Sequence, residues 1–310
     1  MRGNMMKKAA VTGASGFIGR RLVKKLLEMG IIVYGIAPDA SKMEKFSSYA
    51  NFIPITAAFE DYKILPQFIK DVGIDVFYHF AWAGGFTDAI RDYALQLRNA
   101  SFAGDALMAA KAIGCKRFVY AGTYNQYEIR NFLSSDKFEP RYTCIYSTGK
   151  TAASLICRTL AFQVGIEYTA GLIPMPYGED NYSRQLVNVV IDSLNKGIAP
   201  KLVEGSNTYD LVYIEDIAEA FVAIGEKGEN QREYYIGHRK LKTFKELMIH
   251  IKDIIAPEVE LKFGEFEDNQ KIDYSMIDLD ALYNDTGFEC KADFRETIMA
   301  TAEWVKKINL

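Results

Sequence analysis

The sequence predicts an α/β protein: a doubly wound parallel sheet followed by a smaller C-terminal α/β lobe. Three observations predict it. Short apolar strands alternate with amphipathic helices from residue 9 to about residue 170. A glycine-rich turn, Gly13-Ala14-Ser15-Gly16-Phe17-Ile18-Gly19, joins the first strand to the first helix. After Gly171 the regularity gives way to segments broken by Pro174, Pro176, Gly178 and Gly205. Strand–helix alternation stacks helices on both faces of a parallel sheet and brings ligands to the C-terminal strand ends.

The first strand, Ala9 to Thr12, runs into the glycine turn, and a helix is predicted over 17–29 with Phe17, Ile18, Leu22, Leu26 and Leu27 as its apolar stripe. Glycines at such a turn let the backbone approach a pyrophosphate, and the helix N-terminus offers it free N–H groups and a positive dipole end. A strand over 31–36 completes a βαβ unit, the context this fingerprint requires. Further strands are predicted at 51–55, 75–81, 116–122 and 166–172, with helices at 61–72, 88–113 and 147–164. Thr123 then follows a strand and Tyr146 opens a helix, both on one edge of the sheet. Later, a strand within 210–216 runs into a helix over 216–226 that returns to the main sheet. The expected division is 1–173 plus 207–228 for the dinucleotide domain, and 174–206 plus 229–310 for a lobe closing over its ligand edge.

Composition excludes several classes. At 310 residues, 49% hydrophobic and 25% charged, the chain can bury a sizeable core. A net charge of -3 gives no footprint for nucleic acid. No window reaches the ~18 apolar residues of a membrane span, and Met1 to Lys8 does not read as a signal peptide. Cys115, Cys144, Cys157 and Cys290 have no C-x-x-C spacing, and His79, His238 and His250 lie far apart. The expectation is a cytoplasmic protein with no metal, no membrane partner and no nucleic-acid partner.

Tyr146 and Lys150 carry the chemistry. Four residues apart on a helix, they share a face. An ammonium there favours the phenolate, bringing down a tyrosine pKa that starts near ~10, so that the tyrosine can exchange a proton near neutrality.

With the glycine turn, Thr123 and this Tyr–Lys pair, the chain resembles the extended short-chain dehydrogenase/reductase family, which includes sugar-nucleotide epimerases, 4-ketoreductases and dehydratases. The resemblance covers nearly the whole chain. His79-Phe80-Ala81-Trp82 is similar to the family's His-Leu-Ala-(Ala/Trp) strand end, and Asn99 stands where the family has an Asn on a long helix. Phe118 to Thr123 resembles the strand ending in the catalytic Ser/Thr, with Tyr127 four residues on. Tyr177-Gly178-Glu179-Asp180 and Tyr213 to Ala218 resemble two later family segments. The resemblance implies a Rossmann-type sheet with NAD or NADP on Gly13, Ser15, Gly16, Phe17, Ile18, Gly19, Ala37, Lys42, Phe80, Ala81, Tyr146 and Lys150. It implies Tyr146 as the proton-transfer group, Lys150 on the nicotinamide ribose and Thr123 on the reacting oxygen. It also implies a homodimer through the helices at 88–113 and 147–164.

Departures narrow the reaction. Dehydratases of the family carry Asp and Glu after the catalytic Thr, where this chain has Tyr124 and Asn125, so 4,6-dehydration is not expected. Ala37 replaces the acid that marks NAD, and Ser41 or Lys42 can meet a 2′-phosphate, a slight lean to NADP. Met175 and Tyr209 replace diphosphate-gripping Asn and Arg, which leaves Arg184, Lys201, Lys262 and Lys271 as candidates for that task. With Thr123, Tyr124, Asn125, Met175 and Tyr209 facing substrate, the expected activity is NAD(P)-dependent reduction of a nucleotide-activated 4-keto sugar. Alternatives are a nucleotide-sugar 4-epimerase, a reductase of a non-sugar carbonyl, and a dinucleotide-binding sensor without turnover.

Overall fold

Seven parallel strands form the central sheet of the computed structural model, which describes residues 6–70, 73–85, 88–137, 139–269 and 272–308. The first half runs β1 (Lys8–Thr12), α1 (Phe17–Glu28), β2 (Ile32–Ala37), β3 (Phe52–Thr56), α2 (Leu65–Phe68), β4 (Val76–His79), α3 (Tyr93–Ala112), β5 (Arg117–Thr123), α4 (Gln126–Leu133), α5 (Cys144–Val164) and β6 (Glu167–Ile173). Next come β7 (Met175–Tyr177), α6 (Leu186–Asn195), β8 (Lys201–Val203), β9 (Thr208–Tyr209), β10 (Leu211–Tyr213), α7 (Ile214–Lys227) and β11 (Arg232–Tyr235). The chain continues through β12 (Lys242–Thr243), α8 (Phe244–Ile255), β13 (Lys262–Phe266), α9 (Ala281–Thr286) and α10 (Phe294–Ile308).

The sheet order is β11-β6-β5-β4-β1-β2-β3, a Rossmann-like arrangement whose order reverses between β1 and β4. Alternate side chains feed two cores because a strand's side chains have period two. On β5, Val119 and Ala121 pack with Leu22, Leu26, Phe221 and Ile224 of α1 and α7, while Phe118 and Tyr120 pack with Ala103, Leu107, Cys157 and Ala161 of α3 and α5. A third core, including Ile191, Leu194, Met248, Ile251 and Ile298, joins α6, α8 and α10 in the smaller lobe.

The structure alters three sequence expectations. No single helix fills 61–72: a 3-10 turn over Phe59–Ile64 passes into the four-residue α2, and residues 71 and 72 lie outside those described. Pro66 sits in the first turn of α2 and has no N–H to continue a helix arriving from upstream. The helix expected over 88–113 is a 3-10 turn, Asp88–Arg91, then α3, because the Asp92 carboxylate accepts from Leu95 N and starts a new helix there. Residues 232–235, expected in the smaller lobe, form β11 and pair with β6 as the edge strand of the main sheet. The strand expected within 210–216 is β10, which pairs with β7, and α7 after it packs on the main sheet.

Candidate active site

The glycine turn is fixed by contact, not only by flexibility. Gly13 has φ +69°, and a Cβ on it would sit 2.8 Å from Ala81 N, so β1 and the end of β4 meet at this glycine. A Cβ on Gly19 would overlap the Gly13 carbonyl oxygen. Gly19→Ala should therefore push α1 off the turn and abolish dinucleotide binding, read as loss of NADH fluorescence enhancement by a protein that still unfolds cooperatively. Gly16 caps α1 without a side-chain hydrogen bond, and the first turn carries no acidic residue. The amides at that end are left for an anion, with the dipole in its favour.

From this turn a cleft of about 430 Å³ runs across the C-terminal strand ends. Gly13, Gly16, Phe17, Ile18, Gly19, Phe80, Thr123, Tyr124, Asn125, Tyr146, Lys150 and Met175 all line it. Five residues named from the sequence are not on its wall. Ser15 belongs to the turn, Ala37 is buried at the end of β2, and Lys42 is exposed on a 3-10 turn, Ala40–Phe46. Ala81 backs Gly13. Tyr209 packs its ring 4.9 Å from that of Phe244 and donates to Asp268 Oδ1 at 3.4 Å. Of the four cations considered for a diphosphate, Arg184 lines a second cavity of about 600 Å³ that shares Tyr146, Asn125 and Gln185 with the first. Lys201 and Lys262 are register partners across β8 and β13 and line neither cavity, and Lys271 lies outside the described residues.

Thr123 ends β5, and its backbone N donates to Gln126 Oε1 at 3.0 Å, which fixes the turn. The Thr123 hydroxyl lies on the same cleft wall as the Tyr146 phenol. Burial raises the Tyr146 pKa above its ordinary value, and the Thr123 hydroxyl opposes this. That corrects the expectation of a tyrosine brought down by Lys150. The Lys150 ammonium instead donates to the Ala121 carbonyl at 2.9 Å and lies 4.0 Å from the centre of the Trp82 ring. Burial alone pushes Lys150 down to about 7.

The surrounding polar groups are structural. His79 bonds Thr12 Oγ1 through Nδ1 at 2.8 Å, and burial pushes its pKa down to about 3, so it stays neutral. Asn99 brackets Ala83, accepting from its N at 3.1 Å and donating to its O at 2.9 Å. Sequence reasoning missed Trp82, Gln96 and the α6 start, Gln185 to Val187, as parts of the site. Trp82 stood inside a quoted motif, but only the fold brings it to Lys150.

Asp210, beside Tyr209, holds the lobe to the sheet. It accepts from Tyr235 Oη at 2.9 Å, His238 N at 2.9 Å and His238 Nδ1 at 2.7 Å. The Asp210 hydrogen bond raises the His238 pKa above its ordinary value. A raised folded-state pKa stabilises fully below the unfolded value of ~6.5, and that stabilisation is lost as pH rises through the folded value. The urea midpoint should therefore fall from pH 6 to pH 8, and His238→Gln should flatten that slope. The side chain is 40% exposed, so the effect is small.

The cleft fits a nicotinamide dinucleotide: the glycine turn leaves backbone bare for the pyrophosphate, and Tyr146 and Lys150 stand at the other end. The fold and this arrangement of residues are of the extended short-chain dehydrogenase/reductase type. Residues 9–237 match the NAD dependent epimerase/dehydratase family, and the chain belongs to that family. It is 23% identical over 96% of its length to a trifunctional UDP-glucose 4,6-dehydratase/UDP-4-keto-6-deoxy-D-glucose 3,5-epimerase/UDP-4-keto-L-rhamnose-reductase of Arabidopsis thaliana, and spans 47% of that protein. It is 24% identical to the dTDP-D-glucose 4,6-dehydratase of Mus musculus, over 98% of this chain and 90% of that one. Among solved structures, a UDP-glucuronic acid 4-epimerase mutant from Bacillus cereus, in complex with UDP-4-deoxy-4-fluoro-glucuronic acid and NAD, superposes with a TM-score of 0.78 at 20% identity. That likeness covers 97% of this chain and 99% of the other. Among the described residues, no group of His, Cys, Asp and Glu is arranged to hold a metal, and no helix is long and apolar enough to cross a membrane.

Proposed function

We propose that this enzyme reduces a nucleotide-activated 4-keto sugar, with Tyr146 donating the proton to the carbonyl oxygen. The observation that carries the reading is the composition of the cleft. Its described lining residues include Thr123, Tyr146 and Lys150 but no Asp or Glu. The dehydratases this chain resembles carry an Asp and a Glu after the Thr as acid and base, and Tyr124 and Asn125 stand in their places. A single proton relay remains, and it suits hydride transfer. A nicotinamide held there would supply the hydride. Thr123 orients the oxygen, Tyr146 protonates it as it becomes a hydroxyl, and Lys150 holds the cofactor ribose. Arg184, which lines the second cavity along with Tyr146, is the group we assign to the diphosphate.

A second reading, 4-epimerisation, shares every one of these residues and is favoured by the likeness to an NAD-bound 4-epimerase. Choice of nucleotide bears on it. Lys42 and Lys45 on the turn after β2 favour a 2′-phosphate, whereas the Ser41 hydrogen bonds hold the neighbouring Asp39 carboxyl below its ordinary range, a charge that favours a free 2′-hydroxyl. Denaturing the purified protein and identifying the released nicotinamide by mass spectrometry separates the two. An empty protein that binds NADPH and oxidises it with a nucleotide 4-keto sugar supports the reductase; stoichiometric NAD carried through purification overturns it in favour of the epimerase.

The working unit in this reading is a homodimer. On α3, Leu97 and Met108 are exposed, and on α5, Leu155, Ile156 and Phe162 are, Phe162 by 81%. A second copy covers this two-helix face. Leu155→Glu with Phe162→Glu should reduce the mass found by light scattering to the 35.0 kDa of one chain, and a wild type already at that mass would remove the dimer.

A further inference from the structure

Lys150 is 5% exposed and has only partial compensation for its charge. One N–H meets the Ala121 carbonyl, and no charged group lowers or raises its titration alongside burial. The titratable groups around it are His79 on β4, Tyr120 on β5 and Tyr146 one turn earlier on α5. His79 is neutral, and burial keeps both phenols protonated, so none brings a negative charge. What faces the ammonium is aromatic: Trp82 at 4.0 Å and Tyr120 at 5.2 Å. The Trp82 ring also meets the Tyr146 ring at 6.1 Å and 87°.

The indole is held in that position. Its Nε1 donates to Gln96 Oε1 at 2.8 Å, and Gln96 Nε2 donates to Ala89 O at 2.9 Å. Gln96 is buried against Gly149, where a Cβ would lie 3.0 Å from its own. The same glutamine thus orients Trp82 and seats the turn of α5 between Tyr146 and Lys150.

We infer that Trp82 is a positioning residue for the reaction: its π face keeps Lys150 an ammonium inside the cleft, and its ring braces the Tyr146 phenol. The role in catalysis rests on the reductase reading above; the effect on Lys150 does not. A desolvated ammonium over an indole face is favoured enough to move its pKa by about one unit.

Lysine titration followed by NMR on ¹³C-lysine-labelled, cofactor-free protein reads the effect directly, with Lys150 assigned by the resonance lost in Lys150→Met. In Trp82→Leu, apolar but without a π face, the Lys150 pKa should fall by about one unit, and Trp82→Phe should restore most of it. Trp304→Phe leaves Trp82 as the sole tryptophan of the two in the chain. In that background, fluorinated tryptophans of nearly the same shape but weaker ring face should lower the pKa stepwise, a test that stands if Trp82→Leu does not fold. A Lys150 titration unchanged across the fluorinated series overturns the proposal. Turnover with a keto-sugar nucleotide should fall in the same order, in kcat more than in KM for the sugar. If no such substrate is turned over while the Lys150 shifts persist, the reductase reading fails and the control of Lys150 by Trp82 stands.

Discussion

Replacing Tyr146 with phenylalanine should lower turnover by about 10²–10⁴-fold, the usual worth of a positioned proton donor, while dinucleotide affinity is unchanged. The phenyl ring keeps the contact with Trp82, and the dinucleotide turn lies on β1 and α1, so only the phenolic hydroxyl is lost. Burial keeps that hydroxyl protonated through neutral pH, the form a ketone needs as its donor. Lys150 sets the other limit. With burial holding it down to about 7, a rate that needs the ammonium should decline as pH rises through that value. Nicotinamide absorbance in single turnover checks the rate, and fluorescence titration the affinity. A phenylalanine variant with wild-type kcat would remove Tyr146 from the chemistry.

Arg141→Met should destabilise the fold by about 3–5 kcal/mol, the cost of leaving a buried charge without its partner. Glu128 on α4 has a fully buried side chain, and Arg141 closes on it with two hydrogen bonds, Nε at 2.7 Å and an Nη at 2.8 Å. Glu128→Gln should cost less. An amide needs no counter-charge, and the arginine side chain it leaves behind is 23% exposed and can turn to water. The pair ties the segment before α5 to α4, so Arg141→Met should also lower activity by loosening the approach to Tyr146. Urea unfolding measures the first effect; a loss below about 1 kcal/mol would place the pair with ordinary surface bridges.

The parts legible in the sequence are those whose physics is local. The glycine turn is steric within seven residues, β1, β2 and β5 are apolar runs bounded by turn residues, and Tyr146 with Lys150 needs only helical spacing. What escaped the sequence is what distant residues decide. Spacing puts Lys150 on the face of Tyr146, yet the Ala121 carbonyl and the Trp82 ring draw its ammonium aside. Arg232-Glu233-Tyr234-Tyr235 gives no local sign that it joins the main sheet, because its partners are remote: Glu233 takes Arg130 and Ser154, and Arg232 takes Asp285. Tyr209, expected to face substrate, packs against the Phe244 ring and is not on the cleft wall.

The pairing of β11 with β6 has a consequence for how the chain is made. Until Tyr235 has left the ribosome, β6 is an open edge, with the row of N–H and C=O groups that β11 later occupies. The dinucleotide half therefore cannot finish folding as an early, separate unit, although most of its strands are synthesised first. Truncated chains ending before Arg232 should be the aggregating species during expression, through that uncovered edge.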